Sequence, residues 1–203
     1  MEQIIKNTVD ALKKNNFDVR YYETSKEAVD ELLKEIKPEE TVGIGGSMTI
    51  KTLELDRLLK ERGNAVHWHW LEATQEDMDK ARHTAANADV YLTSTNALTQ
   101  DGKLVNTDGM GNRVAAMFYG PKKTIIVCGS NKIAENVDAA MERIENNAFK
   151  NARRLKLNTP CAINQSCIDC NSPQRMCNIT TIIRKKPMRK DIMVVIINEE
   201  LGY

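Results

Sequence analysis

The stretch VNTDGMGNRVAAMFYGPKKTIIVCGSNKI, Val105 to Ile133, decides the fold. It joins a polar glycine-rich loop, a helix start, a buried strand and a second polar turn. Lys123 to Cys128 reads as the buried strand and Asn112 to Tyr119 as one or two turns of helix. Upstream, Asp101-Gly102 is a turn signal, with Lys103–Val105 as the returning arm of a hairpin. Asp89 to Ser94 is another strand, preceded by a helix around Glu76 to Ala86. Ala65 to Leu71 alternates, with Val66, Trp68 and Trp70 on one strand face and His67 and His69 on the other.

Further towards the N-terminus, Thr41 to Ile44 is a buried strand running into GGSMT, and helix returns from Thr49 to Lys60. Ala28, Val29, Leu32, Leu33 and Ile36 form the stripe of a helix that Ser25 can cap and Pro38 stops. Phe17 to Tyr22 is a strand, and Ile4, Ile5, Val9 and Leu12 mark a first amphipathic helix. Downstream, Val137, Ala140, Met141, Ile144 and Ala148 mark a helix from Ala134 to Lys156, ended by Pro160. Strands at Ile179–Ile183 and Ile192–Ile197 flank the basic turn RKKPMRK, read as a solvated hairpin. Strands alternating with helices give an α/β class: three layers, a mainly parallel sheet flanked by helices. The expected organisation is a single domain, 1–203, with a cysteine-rich insertion at 158–178.

Composition narrows the function classes. The net charge of +1 gives no electrostatic reason for nucleic acid or an anionic membrane as partner. Aromatic residues, at 5%, are too few for a single-strand stacking platform. Apolar runs such as MVVII are too short to span a bilayer. The charged, amphipathic N-terminus lacks the pattern of a signal peptide. A cytoplasmic location is expected, where thiols stay reduced.

Three polar turns follow strands. In GIGGSMT, glycines let backbone N–H groups approach a ligand, and a following helix start favours an anion. Gly45, Gly46, Ser47 and Thr49 are its candidates; the other reading is a tight turn capped by Ser47 or Thr49. In DGMGNR, Asp108 reads as a base or as a helix cap, and Arg113 suits a bidentate pair with a carboxylate or phosphate. Gly109, Gly111 and Asn112 complete that loop, and Thr95 and Asn96 stand at the end of the preceding strand. In CGSNK, Ser130 and Lys132 are the candidates. Three such turns in one chain point to a site for a small anionic metabolite.

Cys161, Cys167, Cys170 and Cys177 fall within seventeen residues, spaced by five, two and six. One Cys-x-x-Cys pair with two outliers can wrap a [4Fe–4S] cluster or a zinc ion. A redox dithiol at Cys167–Cys170, or plain thiols, are the other readings. Cys128, at a buried strand end, reads as a packed core thiol. His67 and His69 share a face that could bind metal, though solvated histidines are the commoner outcome. Trp68 and Trp70 read as core.

The run ADVYLTSTNALTQDGKLVNTDGMGNRVAAMFYGPKKTIIVCGSNKI, with upstream VGIGGSMT and terminal IINEELGY, resembles the lactate-utilisation (LUD, formerly DUF162 or YkgG-type) family. The resemblance implies a fold similar to ribose-5-phosphate isomerase, glucosamine-6-phosphate deaminase and CoA transferases. It implies a contribution to oxidation of lactate or a related 2-hydroxy acid, a redox partner protein, and iron–sulfur in preference to zinc. A homo-oligomer is also allowed. A sugar-phosphate isomerase or CoA-transferase type of enzyme without redox role, and a non-catalytic binding subunit, are the alternatives, since fold does not transfer a reaction.

Overall fold

In the computed structural model, which describes residues 2–203, helices and strands alternate largely as the apolar pattern expects. Helix α1 (Gln3–Lys14) buries Ile5, Val9 and Leu12. Strand β1 (Asp18–Tyr22) leads to α2 (Ser25–Glu35). Thr24 caps α2, its Oγ1 accepting from Glu27 N at 3.2 Å. Ser25, the expected cap, is instead tied to the far end of the chain: its N and Oγ donate to the Glu199 carboxylate at 2.7 and 2.6 Å. Strand β2 (Val42–Ile44) enters α3 (Met48–Thr52), which Ser47 caps, and then α4 (Leu55–Glu61). The one helix expected over Thr49–Lys60 is two, because Glu54 between them is left-handed (φ 52°).

Strand β3 is only Val66–His67. The chain then coils into a 3₁₀ turn at His69–Leu71, so the expected alternation of Trp and His breaks there. Next come α5 (Gln75–Ala85), β4 (Val90–Thr93), β5 (Ala97–Thr99) and β6 (Leu104–Asp108). The Asp101-Gly102 turn does join a hairpin, whose outgoing arm is the short β5. Helix α6 (Asn112–Phe118), β7 (Lys123–Gly129), β8 (Ile133–Ala134) and α7 (Val137–Arg154) follow. Pro160 starts α8 (Pro160–Asn164), the position where its missing N–H is harmless. Strands β9 (Ile179–Ile183) and β10 (Asp191–Ile197) close the chain.

Six strands form one sheet in the order β1-β10-β7-β4-β2-β3, and every neighbouring pair is parallel. The two-residue period divides each central strand between two cores. Ile125, Val127, Met193, Val195 and Ile197 face a core shared with α2, α3 and α4. Ile126, Cys128, Ile192, Val194 and Ile196 face a core shared with α1 and α6. This is the expected three-layer α/β arrangement. A second, four-stranded sheet, β8-β5-β6-β9, adds Leu98, Leu104 and Ile183 to the α1/α6 core. Its Ala97 and Val105 pack with Ala140 of α7.

The hairpin expected around RKKPMRK does not form, because β9 joins the small sheet and β10 the large one. The basic segment is the crossover between them. It is pinned by Lys186 N donating to Asn15 O at 2.9 Å and by Lys190 Nζ donating to Pro121 O. No helix among the described residues is long and apolar enough to cross a membrane.

Helix α5 crosses the large sheet at Gly43, in the middle of β2. A Cβ there would collide with the carbonyl oxygen of Ala85 and lie 2.6 Å from its Cα. The obstacle is backbone, so it cannot rotate away. Gly43→Ala is expected to cost about 3 kcal/mol, the upper range for overpacking. Melting followed by circular dichroism should fall by roughly 6–12 °C for a chain of this size. An unchanged midpoint would mean that α5 is free to shift outward.

Candidate functional site

The carboxyl ends of the parallel strands share one edge of the sheet, where ligands bind in open α/β folds. A cavity of about 580 Å³ opens there. Gly46 and Ser47 reach it from the end of β2, and His69 and Trp70 from beyond β3. Ser94, Thr95 and Asn96 enter after β4, Asp108, Gly109, Asn112 and Arg113 after β6, and Lys132 after β7. Tyr203 closes in from the chain end. Residues of all three polar turns therefore line one cavity.

Four expected ligand contacts, Gly45, Thr49, Gly111 and Ser130, lie outside the cavity lining. Gly45 is small for another reason: a Cβ would lie 2.8 Å from Tyr91 OH and 2.9 Å from Thr93 Oγ1. Gly111 supplies the left-handed turn (φ 86°) into α6. Thr49 is buried behind Lys132. Ser130 opens a short 3₁₀ turn.

Arg113 and Asp108 are organisers of the site. Arg113 Nε donates to Asp108 Oδ1 at 2.9 Å, and its Nη2 lies 2.6 Å from the same oxygen. Nη1 donates to Ser94 O (3.1 Å) and Asn106 Oδ1 (2.8 Å). Nη2 also donates to Asn96 Oδ1 (2.8 Å) and Thr107 O (3.2 Å). All five N–H donors are thus spent on the protein. Asp108 Oδ2 accepts from Val114 N at 2.9 Å, fixing the first turn of α6. Of the two readings of Asp108, cap and base, the geometry is that of the cap. The guanidinium expected to clamp a ligand instead joins the loops after β4 and β6.

Lys132 is different. It is buried, and Nζ donates only to Ser94 Oγ at 2.9 Å and Thr49 Oγ1 at 3.1 Å. Burial brings its amine down from 10.5 to about 7, with Arg143 and Arg113 pushing the same way and Cys128 opposing. Burial also pushes the Cys128 thiol up to about 12, as suits a packed core thiol.

His69 and Trp70 were expected as a solvated or metal-binding histidine and a core ring. Both line the cavity. Trp70 stacks on the buried Trp68 (centroids 4.7 Å apart) and carries the Arg154 guanidinium 4.2 Å above its ring. His69 is held down to about 4 by burial and by the charges of Arg82 and Arg154, so it is a neutral imidazole at physiological pH. Only the departure from strand geometry after His67 brings this pair inward, and a period-two reading cannot foresee it.

The cysteine segment forms a wall of the same cavity. Pro173 to Asn178 line it, Cys177 included. Asn178 N donates to Asp108 O at 2.9 Å, and β9 then pairs with β6 from Asp108 onward. Gly109 permits this contact, since a Cβ there would lie 3.0 Å from Met176 Cα. Arg175 Nη1 donates to Cys170 O at 2.6 Å and pairs with Asp169 at 2.7 Å, bracing the loop from within.

The expected all-thiolate ligand set for iron–sulfur or zinc is not assembled. Among the described residues, no three His, Cys, Asp or Glu side chains are placed to hold one metal ion. Cys161 lies within hydrogen-bonding distance of Thr159 Oγ1, 3.3 Å away, and Cys167 is exposed. The other three thiols do add to the upward push that burial exerts on Cys177. Charges are felt over roughly 10 Å, whereas a shared ion needs metal–sulfur distances near ~2.3 Å. Arginine and amide hydrogen bonds order this loop.

The model of the LUD domain family matches residues 5–197. The chain belongs to the LUD domain family. The family is associated with lactate utilisation in general. A crystal structure of a DUF162 family protein from Deinococcus radiodurans is similar in fold, with a TM-score of 0.56 at 15% identity over 96% of each chain. Among the curated proteins, none matches this LUD domain.

Proposed function

We propose that this LUD domain binds the carboxylate of a small 2-hydroxy or 2-oxo acid in the cavity and serves lactate utilisation through that site. One observation carries the reading. Among the described residues five arginines line the cavity, Arg82, Arg113, Arg143, Arg154 and Arg175; Asp108, Asp79 and Asp169 pair with Arg113, Arg82 and Arg175, so Arg143 and Arg154 have no carboxylate partner. The whole chain carries a net charge of only +1, so this excess is local. An anion would relieve it, and a partly enclosed site strengthens the attraction. The polar groups between the cations, Ser47, Ser94, Asn96 and neutral His69, suit the oxygens of such an acid.

The cavity volume favours a second reading. About 580 Å³ holds far more than a three-carbon acid. Arg82 and Arg154 beside Trp70 would suit a larger phosphorylated ligand, as an enzyme of the sugar-phosphate isomerase or CoA-transferase type would use. The Asp108 cap gives that reading no base.

A thermal-shift series with lactate, pyruvate, sugar phosphates, CoA and neutral glycerol separates the two. At one hundred times its dissociation constant, a ligand of the folded state adds about 2.7 kcal/mol, and roughly 5–10 °C. The acids are expected to raise the midpoint, less so at high salt, and glycerol to leave it unchanged. Stabilisation by phosphorylated compounds alone would favour the second reading. A flat response to every anion would end both.

A further inference from the structure

Lys132 has no carboxylate partner among the described residues, and its two hydroxyl partners are oriented. Thr49 Oγ1 donates to Leu201 O and Ser94 Oγ to Thr95 O, each at 3.3 Å. With their hydrogens spent, both hydroxyls act as acceptors towards Nζ. Two acceptors satisfy the two N–H bonds of a neutral amine and leave its lone pair unused; an ammonium would bring a third donor. Gly202, left-handed at φ 68°, closes in behind the amine. A Cβ there would lie 2.8 Å from Thr49 Oγ1 and 3.4 Å from Nζ. Backbone thus covers one side of the amine while the residue lines the cavity on another.

The charged and titratable groups that act on it are Cys128 of β7, Arg143 of α7 and Arg113 of α6. None is a base able to hold the amine as a fixed cation. Burial and the two arginines together leave it substantially neutral near pH 7.

We propose that Lys132 is a nucleophilic amine that forms an imine with the ketone of a small 2-oxo acid bound in the cavity. The proposal rests on the carboxylate-site reading above. The Nζ lone pair attacks the carbonyl carbon, forming a C–N bond. The carbonyl oxygen gains a proton and the nitrogen loses one, giving a carbinolamine. The hydroxyl then takes a proton from solvent, the C–O bond breaks, water leaves, and the iminium remains, with nothing oxidised or reduced. Such an iminium withdraws electrons from the adjacent carbon and eases loss of a proton there. Arg143 lines the same cavity, held by Nε to Asn131 O at 3.1 Å and Nη1 to Asn96 O at 2.7 Å, with Nη2 left to receive the carboxylate.

The test is reductive trapping. The full chain is incubated with pyruvate, glyoxylate or 2-oxoglutarate and sodium cyanoborohydride, then mapped by peptide mass spectrometry, with a thermal shift measured in parallel. A carboxyalkyl adduct at Lys132 is expected, formed at least tenfold faster than at any exposed lysine. Its rate should rise with pH through about 7, where surface amines are still protonated. Lys132→Arg should lose the adduct. A thermal shift with no preferential adduct at Lys132 overturns the imine and leaves the carboxylate site standing. Absence of both overturns the two together.

Discussion

Arg113→Met is expected to lower the stability of the unliganded protein by about 3–5 kcal/mol, the cost of breaking a buried ion pair by removing one partner. The substitution strands Asp108, whose second oxygen holds Val114 N, and removes one donor each from Ser94 O, Thr107 O and the Asn96 and Asn106 side-chain oxygens. In a chain of this size the melting midpoint should drop by roughly 10 °C or more. Asp108→Asn should lose less, because the amide oxygen can still accept from Val114 N. The double variant should lose less than the sum, since the two side chains form one unit. A guanidinium reserved for ligand would behave oppositely: Arg113→Met would melt like the parent and fail only in anion binding. That outcome would return Arg113 to the role its sequence context suggests.

Lys132→Met is expected to stabilise the unliganded protein at low pH. The folded-state amine titrates near 7 against an ordinary 10.5. Between those values the unfolded chain holds a proton that the folded chain does not, so the parent gains stability as pH rises. Below pH 7 folding must carry a buried cation. The full linkage is worth roughly 5 kcal/mol at 1.36 kcal/mol per pH unit. Losing the two hydroxyl contacts takes back about 1 kcal/mol each. The variant should therefore melt roughly 6–12 °C above the parent at pH 6, and the gap should close towards pH 10. Stability would then be gained by discarding a functional group, as at other strained sites. A variant less stable than the parent at pH 6, or one with the same pH slope, would show that Lys132 is not held neutral.

The candidate site was legible where it depends on short-range order. Ile44, Thr93 and Gly129 end apolar strands, and the polar turns after them had to emerge at the same sheet edge once those strands ran parallel. Lys132 was visible as a basic residue in such a turn, but not its burial beneath the chain terminus at Gly202. Arg113 was visible as a cation in a glycine loop, yet its partners lie between five and nineteen residues away. Nothing local says that a fork of five donors is already full. The cysteines were separated from the glycine loops in the sequence and attributed to a metal. The end of their segment, Pro173 to Asn178 with Cys177, stands in the wall of the same cavity, because β9 pairs with β6 starting at Asp108.

Alternation and turn chemistry are written into neighbouring residues, so the chain by itself determined a parallel α/β sheet and the polar, glycine-rich turns that leave its strands. Folding alone decided which cations face the cavity unspent, where His69 and Trp70 point, and that β9 and β10 part into different sheets. Those outcomes depend on which strand finds which partner and on how deeply each charge is buried. Both are set by contacts between residues far apart in the chain.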